Sequence, residues 1–287
     1  MSNSRFLECF IGLLIFTPGT AIIQPFELMM YKMSVIIPAY NEELYIGRTL
    51  QSLVSQDYQG SFEIIVVNNA SADRTRQMAE SFNVKVVDEP KKGISNALIK
   101  GCGEATGEIF VFTDADTELP YDWLSMLNAR FDDDPEAVAF GGPYSFYDGD
   151  SNVNFFAKKV FFPVYKLVAG GLLPCVNMAV RREAYEKTGG FNPEMNWGQD
   201  IDLSKRLGNV GKVCFDTDIV VWTSFRRYSG GYDTRFARAA HAFKEFGAQL
   251  GRCYMVSVKG KVYRNTQRAI REVKRLSKEG RLPTFIA

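Results

Sequence analysis

Phe110-Val111-Phe112-Thr113-Asp114-Ala115-Asp116 decides the fold, because an apolar run stops abruptly at two carboxylates one residue apart. Val111 and the two Phe residues fit a buried strand, so Asp114 and Asp116 would stand at its C-terminal end, where open α/β sheets place their ligand crevice. Residues i and i+2 of an extended stretch point to the same side. Two carboxylates there can hold a hard cation such as Mg²⁺ or Mn²⁺, with waters and substrate phosphates completing its shell. By itself an Asp-x-Asp is also what a polar turn closing a strand looks like, and the flanking sequence has to decide between the two.

Working back from the acids, the chain alternates. Ser34-Val35-Ile36-Ile37-Pro38 reads as a buried first strand ended by Pro38, and Leu44, Ile46, Leu50, Leu53 and Val54 then fall near helical spacing. Phe62-Glu63-Ile64-Ile65-Val66-Val67 is a second strand, followed by Asn68-Asn69 and a polar helix entry with Ser71 or Asp73 as its N-cap. A helix through Met78 and Phe82, a short strand over 84–87 and a helix from Lys91-Lys92-Gly93-Ile94 to about Gly103 complete the run. Strands separated by helices of this length imply a mostly parallel sheet with right-handed crossovers, a nucleotide-binding type of half-domain.

The chain has 287 residues, 46% hydrophobic and 13% aromatic, ample for a large α/β core. Its net charge of +1 conceals an asymmetry: residues 226–287 carry 15 Lys/Arg against 4 Asp/Glu, and the first 225 carry 19 against 29. A basic tail suits an anionic surface. The acidic body and the lack of a recognised motif argue against nucleic acid as a partner. Cys9, Cys102, Cys175, Cys214 and Cys253 form no paired spacing, which points to a reducing, cytosolic setting rather than to zinc or disulfides. The apolar stretch 9–23 is interrupted by Thr17-Pro18-Gly19-Thr20, and spanning a bilayer takes about 20 residues, so it reads as an interfacial anchor or as an extension upstream of a start at Met33.

With these pieces placed, the sequence resembles family 2 glycosyltransferases of GT-A fold. Four stretches carry the likeness: Val35-Ile36-Ile37-Pro38-Ala39-Tyr40-Asn41-Glu42, residues 66–75, residues 107–116, and Gly189-Gly190-Phe191 with Gln199-Asp200-Ile201-Asp202-Leu203. The resemblance implies a nucleotide-binding half and an acceptor half over 33–225, flanked by the N-terminal stretch 1–32 and a basic helical extension 226–287. It implies inverting transfer of a sugar from a nucleotide-diphosphate donor, with Mg²⁺ or Mn²⁺, to a glycan or polyprenyl-linked hydroxyl. Pro38, Tyr40, Glu42, Asn68 and Asn69 would surround base and ribose, with Lys92 near the nucleotide. Asn68 stands where the family usually has Asp, and its amide can still pair with a base edge because it both donates and accepts. Asp116 would hold the metal, with Asp114 on ribose or metal. Asp200 occupies the position of the catalytic base, preceded by Gln199 in place of the usual Glu. Asp202 then reads as a carboxylate favouring a helix N-terminus. The Gln-x-x-Arg-Trp motif of processive synthases is absent, which favours single transfer.

Other residues give weaker signals. Asn177, in an expected strand over 175–182, is placed to touch sugar or acceptor, and Trp197 offers an aromatic face three residues before Asp200. Arg226 and Arg227 follow the late strands 213–215 and 219–222, where a loop could bring them to a diphosphate. Residues 154–173 are rich in Phe, Val and Leu with Lys158, Lys159 and Lys166 interspersed, fitting either a core helix or an acceptor-side surface that leans on the cytoplasmic face of a membrane. A nucleotidyltransferase would instead want a Gly-rich, basic first loop. A non-catalytic binder or membrane scaffold would be expected to lack Asp116 or Asp200, and both are present.

Overall fold

The computed structural model describes residues 28–149, 151–163, 165, 172–195, 197–229, 241, 244–249 and 251. The apolar stretch 9–23, most of residues 164–171 and the expected basic helix over 259–278 lie outside them.

The first half alternates as expected: β1 (Met33–Ala39), α1 (Ile46–Val54), β2 (Phe62–Asn68), α2 (Thr75–Glu80), β3 (Lys85–Asp88), α3 (Ile94–Glu104) and β4 (Ile109–Phe112). Strand β1 pairs in parallel with β2 on one side and β4 on the other, and β2 with β3. The central strands β1 and β4 are almost wholly apolar because both faces are covered: Val35, Ile36, Ile37, Val111 and Phe112 are fully buried. Each such side chain contributes roughly 1.5–3 kcal/mol of burial. Helix α3 lies close on the sheet at Gly101, where a Cβ would sit 2.4 Å from Ile36 Cγ2.

Past β4 come β5 (Thr117–Glu118), α4 (Trp123–Asp133), β6 (Ala137–Gly141), β7 (Tyr144–Phe146) and α5 (Ser151–Phe156), which runs into a π-helical turn over Ala157–Phe161. Then follow β8 (Met178–Arg181), α6 (Arg182–Lys187), α7 (Gln199–Leu207), β9 (Lys212–Phe215), β10 (Val221–Thr223) and α8 (Arg226–Ser229). The seven-stranded sheet runs β3-β2-β1-β4-β8-β6-β9, and a three-stranded sheet β5-β10-β7 stands beside it. Strand β8 is antiparallel to both neighbours, so the sheet is mostly rather than wholly parallel. The strand expected from residue 175 begins at Met178, because Cys175–Asn177 forms a 3₁₀ turn closed by the Asn177 N–H on the Pro174 carbonyl.

The aromatic stretch after β7 divides between the two readings open to it. Phe161, Phe162 and Tyr165 are buried, and the Phe161 ring packs tilted against Phe246 with centroids 4.6 Å apart, which ties the stretch to residues 244–249. Phe155 and Val160 are exposed. Among the described residues no helix is long and apolar enough to cross a membrane.

Candidate active site

The strand order reverses between β1, which leads outward to β2 and β3, and β4 on its other side. A crevice opens at the carboxyl ends of such a strand pair. The loop after β1 and the loop after β4 form its walls, and each is held by a device of its own.

The β1 loop is laced to the β2 loop. Asn41 stands at φ 55 and Ala70 at φ 56, both in the left-handed region. The Asn41 carboxamide oxygen accepts the Ala72 N–H at 2.8 Å, and the Glu42 N–H donates to Thr75 Oγ1 at 2.7 Å. Ser71 accepts the Asn41 N–H and Asp73 the Glu43 N–H, so neither is simply the helix cap that its sequence position suggests. Asp73 does also accept the Thr75 N–H at the start of α2.

The β4 loop carries the acids. Asp116 accepts from Thr223 Oγ1 at 3.2 Å and from Arg226 Nε at 3.1 Å, while its carbonyl accepts the Ser224 N–H at 3.1 Å. Arg226 also ion-pairs with Glu42, joining the two walls, and lies 4.2 Å over the Tyr45 ring. Burial pushes Glu42 up to about 7, against the Arg226 hydrogen bond and charge and with help from Asp116 and Asp114. Asp114 is raised too, chiefly by burial; the Arg227 charge opposes this, and the charges of Asp116 and Asp200 add to it.

Two cavities meet here. One, of about 360 Å³, is lined by Pro38, Tyr40, Glu42, Asn69 and Lys92. The other, of about 100 Å³, is lined by Gln199, Asp200, Cys175 and Ser224. Ile94, Asp114, Asp116 and Arg227 line both, so Asp116 and Asp200, 84 positions apart in sequence, face one space. Asp200 enters from the first turn of α7; its Oδ1 accepts the Ile201 N–H at 2.9 Å, and its Oδ2 has a 3.5 Å contact from the Cys175 N–H. Burial raises Asp200 as well, against these backbone donors and the Arg227 charge. Asp202 points elsewhere: it is buried and ion-pairs with Arg206 on its own helix.

Four expected contacts lie elsewhere, one of them Arg226, which is turned onto Asp116 and Glu42 and lines neither cavity. The Asn68 amide donates to Asp88 Oδ1 at 2.9 Å, and Asn68 lines neither cavity. Asn177 is fully buried with its amide engaged: it donates to the Pro143 and Ile219 carbonyls at 3.0 and 2.8 Å and accepts the Trp123 indole N–H at 3.0 Å. Trp197 packs half-buried against the core and also lines neither cavity. Asn69 does line the larger one, but its amide fixes the basic loop, donating to the Glu89 and Lys91 carbonyls and accepting the Gly93 N–H. Lys92 Nζ lies 2.9 Å from the Tyr40 hydroxyl. Gln249, Tyr144 and Thr223 line the smaller cavity without any mark in the sequence, since each comes from an element whose place becomes visible only in the folded chain.

The donor set suits a hard cation of particular habit. Among the described residues no three His, Cys, Asp or Glu side chains form a metal-holding cluster. Asp114 and Asp116 are the carboxylates shared by the two cavities. Mg²⁺ and Mn²⁺ fit such a place, since Mg²⁺ is commonly bound through one or two carboxylates with waters and substrate phosphates supplying the rest.

Comparison with known proteins agrees with this geometry. The glycosyl transferase family 2 model matches residues 34–189. A probable glycosyltransferase of Bacillus subtilis, YdaM, is 30% identical over 211 residues, 67% of this chain, which spans about half the length of that relative. Among solved structures, the mannosyltransferase PcManGT of Pyrobaculum calidifontis, in complex with GDP-Man and Mn²⁺, superposes with a TM-score of 0.62 at 24% identity over 90% of this chain and 73% of its own. Staphylococcus aureus TarS 1–349 in complex with UDP gives 0.56 at 22% identity over 79% and 72%. At that level of identity these two likenesses establish the shared α/β fold alone. The matched span contains both walls of the crevice and its two shared carboxylates, and the chain belongs to glycosyltransferase family 2.

Proposed function

We propose that the protein is a metal-dependent inverting glycosyltransferase that moves a sugar from a nucleotide-diphosphate donor to the hydroxyl of a glycan or lipid-linked acceptor. The observation that carries this reading is the shared space between Asp116 and Asp200, with a cavity large enough for a nucleoside on one side of it. The donors and Mn²⁺ held by solved structures of the same fold support it.

In this reading the nucleoside lies in the larger cavity beside the touching Tyr40 and Lys92 side chains, with the Glu42 carboxylate toward the ribose. Asp116, with Asp114, would hold Mg²⁺ or Mn²⁺, which when bound neutralises charge on the diphosphate leaving group. Arg227 lines both cavities and adds a fixed positive charge beside the same group. The acceptor oxygen attacks the anomeric carbon from the side of the smaller cavity as the bond to the diphosphate breaks. Asp200 takes the hydroxyl proton through Oδ2, whose contact among the described residues is the long one from the Cys175 N–H. A carboxylate raised by burial is better matched to that task than one in water. Because the attack and the departure lie on opposite faces of the sugar, configuration inverts.

The surface supports a lipid-linked acceptor. Phe155 and Val160 stand exposed beside Lys158 and Lys159, an apolar and basic edge suited to a lipid-linked acceptor offered at the cytoplasmic face of a membrane. The test is a panel of UDP-, GDP- and dTDP-sugars assayed for Mn²⁺-dependent hydrolysis and thermal stabilisation. At least one should raise the melting temperature and release nucleotide diphosphate, and silence across the panel with Mn²⁺ and Mg²⁺ would refute the assignment.

A further inference from the structure

Beside the apolar face that helix α1 buries through Ile46, Leu50 and Leu53 runs a polar stripe that continues past its end. Thr49 and Ser52 on the helix and Gln56 just beyond it follow at i, i+3 and i+7 and bond the stretch from Ala115 to Leu124. Thr49 Oγ1 donates to the Ala115 carbonyl at 2.8 Å and accepts the Thr117 N–H at 3.0 Å. Ser52 Oγ accepts the Leu119 N–H at 3.2 Å. Gln56 accepts the Leu124 N–H at 3.0 Å and donates to the Pro120 carbonyl at 2.6 Å. The stripe thus supplies, from side chains, backbone hydrogen bonds that a neighbouring strand would otherwise provide.

Thr49 is placed differently from the other two. A threonine in a helix commonly turns its hydroxyl back on its own preceding turn. This one is fully buried and spends both its donor and an acceptor site on the residues immediately before and after Asp116. One oxygen atom therefore spans the Asp116 backbone from the α1 side, while Thr223 and Ser224 hold its carboxylate and carbonyl from the β10 side. We propose that Thr49 is a positioning residue for the reaction, fixing the backbone turn that aims the Asp116 carboxylate into the shared space. This rests on the reading of Asp116 as the cation ligand. Groups that orient a ligand without touching the metal typically change its affinity by about 10- to 100-fold when removed.

The test uses Mn²⁺ alone as probe, titrated into the full chain and followed by the paramagnetic resonance of free ion, with melting temperature recorded in parallel. Thr49→Val keeps the shape and loses both hydrogen bonds; it should bind Mn²⁺ about tenfold more weakly than wild type. Thr49→Ser keeps the hydroxyl and should bind as wild type does. Gln56→Ala removes bonds of the same kind from the same stripe, farther along the chain from Asp116, and should lower the melting temperature while leaving Mn²⁺ affinity unchanged. If Thr49→Val does not fold, Thr49→Ala is read in its place with the same expectation. Wild-type affinity in the folded valine or alanine variant overturns the inference, and so does a loss of affinity in Gln56→Ala that matches its loss of stability. Absence of Mn²⁺ binding in the wild type, or undiminished binding in Asp116→Asn, overturns the metal reading itself.

Discussion

Replacing Asn177 with Leu should destabilise the fold and leave the affinity for any acceptor in the surviving folded protein unchanged. The side chain is fully buried where the 3₁₀ turn enters β8, and its three hydrogen bonds join α4, the turn between β6 and β7, and the segment before β10. Leucine fills a similar volume and satisfies none of them. The Trp123 indole N–H and the Ile219 carbonyl lose this partner, while the Pro143 carbonyl keeps a long contact from the Val221 N–H at 3.4 Å. At about 1–3 kcal/mol for each buried group left unsatisfied, the cost comes to roughly 4 kcal/mol, or a drop of about 10 °C in melting temperature for a chain of this size. Calorimetry of the two proteins, with acceptor titration of the folded variant, measures both quantities. A melting temperature within about 2 °C of wild type together with a raised acceptor KM would refute this reasoning and return Asn177 to the acceptor site.

Other expectations concern the boundary and the charges. A protein starting at residue 33 loses the Tyr31 N–H on Asn128 and the Lys32 carbonyl on Glu108 and Ile109 that one starting at residue 28 keeps; chemical denaturation should show the shorter protein less stable by about 2–4 kcal/mol, and equal midpoints would contradict this. Arg226→Met frees an Asp116 oxygen from a charged donor, so Mn²⁺ without nucleotide should bind roughly tenfold more tightly; unchanged affinity by calorimetry would show that Arg226 does not compete for that oxygen. Burial tends to raise Glu63, but donors on Thr106 and Ser34 and the Lys32 charge outweigh it and hold its pKa below the usual range. Its stability contribution is therefore present above the unfolded pKa and lost as pH falls through the folded one, so Glu63→Gln should flatten the stability profile below about pH 4.5; an unaltered acid limb in denaturation measured against pH would be the contrary result.

The first half of the fold was legible because its central strands β1 and β4 are buried on both faces and so read as nearly unbroken apolar runs, with the acids standing just past the end of β4. Of the small sheet only β10 was legible, expected over 219–222; β5 and β7 span two and three residues, and a stretch that short carries no periodicity. Residues 115–124 owe their course partly to Thr49, Ser52 and Gln56, whose role is invisible until α1 and the turn after it are placed against them. Much of the crevice was legible through the family resemblance, which pointed to Tyr40, Glu42, Lys92, Asp116 and Asp200, with Arg227 read from its charge after the late strands; all six line it. Asn68 and Asn177 were misplaced for one reason: an amide that fastens backbone or a neighbouring carboxylate looks the same in sequence as one that meets a ligand. Gln249 was missed because it reaches the smaller cavity from beyond the expected domain end, on a segment anchored by Phe246.

The central claim is that one acid holds the donor side and another performs the transfer across a common space. A paired measurement of Asp116→Asn and Asp200→Asn tests it most directly, using calorimetric donor binding in Mn²⁺ alongside the rate of sugar transfer. Asp116→Asn should lose metal-dependent donor binding, while Asp200→Asn should bind donor as wild type does and transfer about 10²- to 10⁴-fold more slowly. Wild-type turnover in either variant would contradict the account.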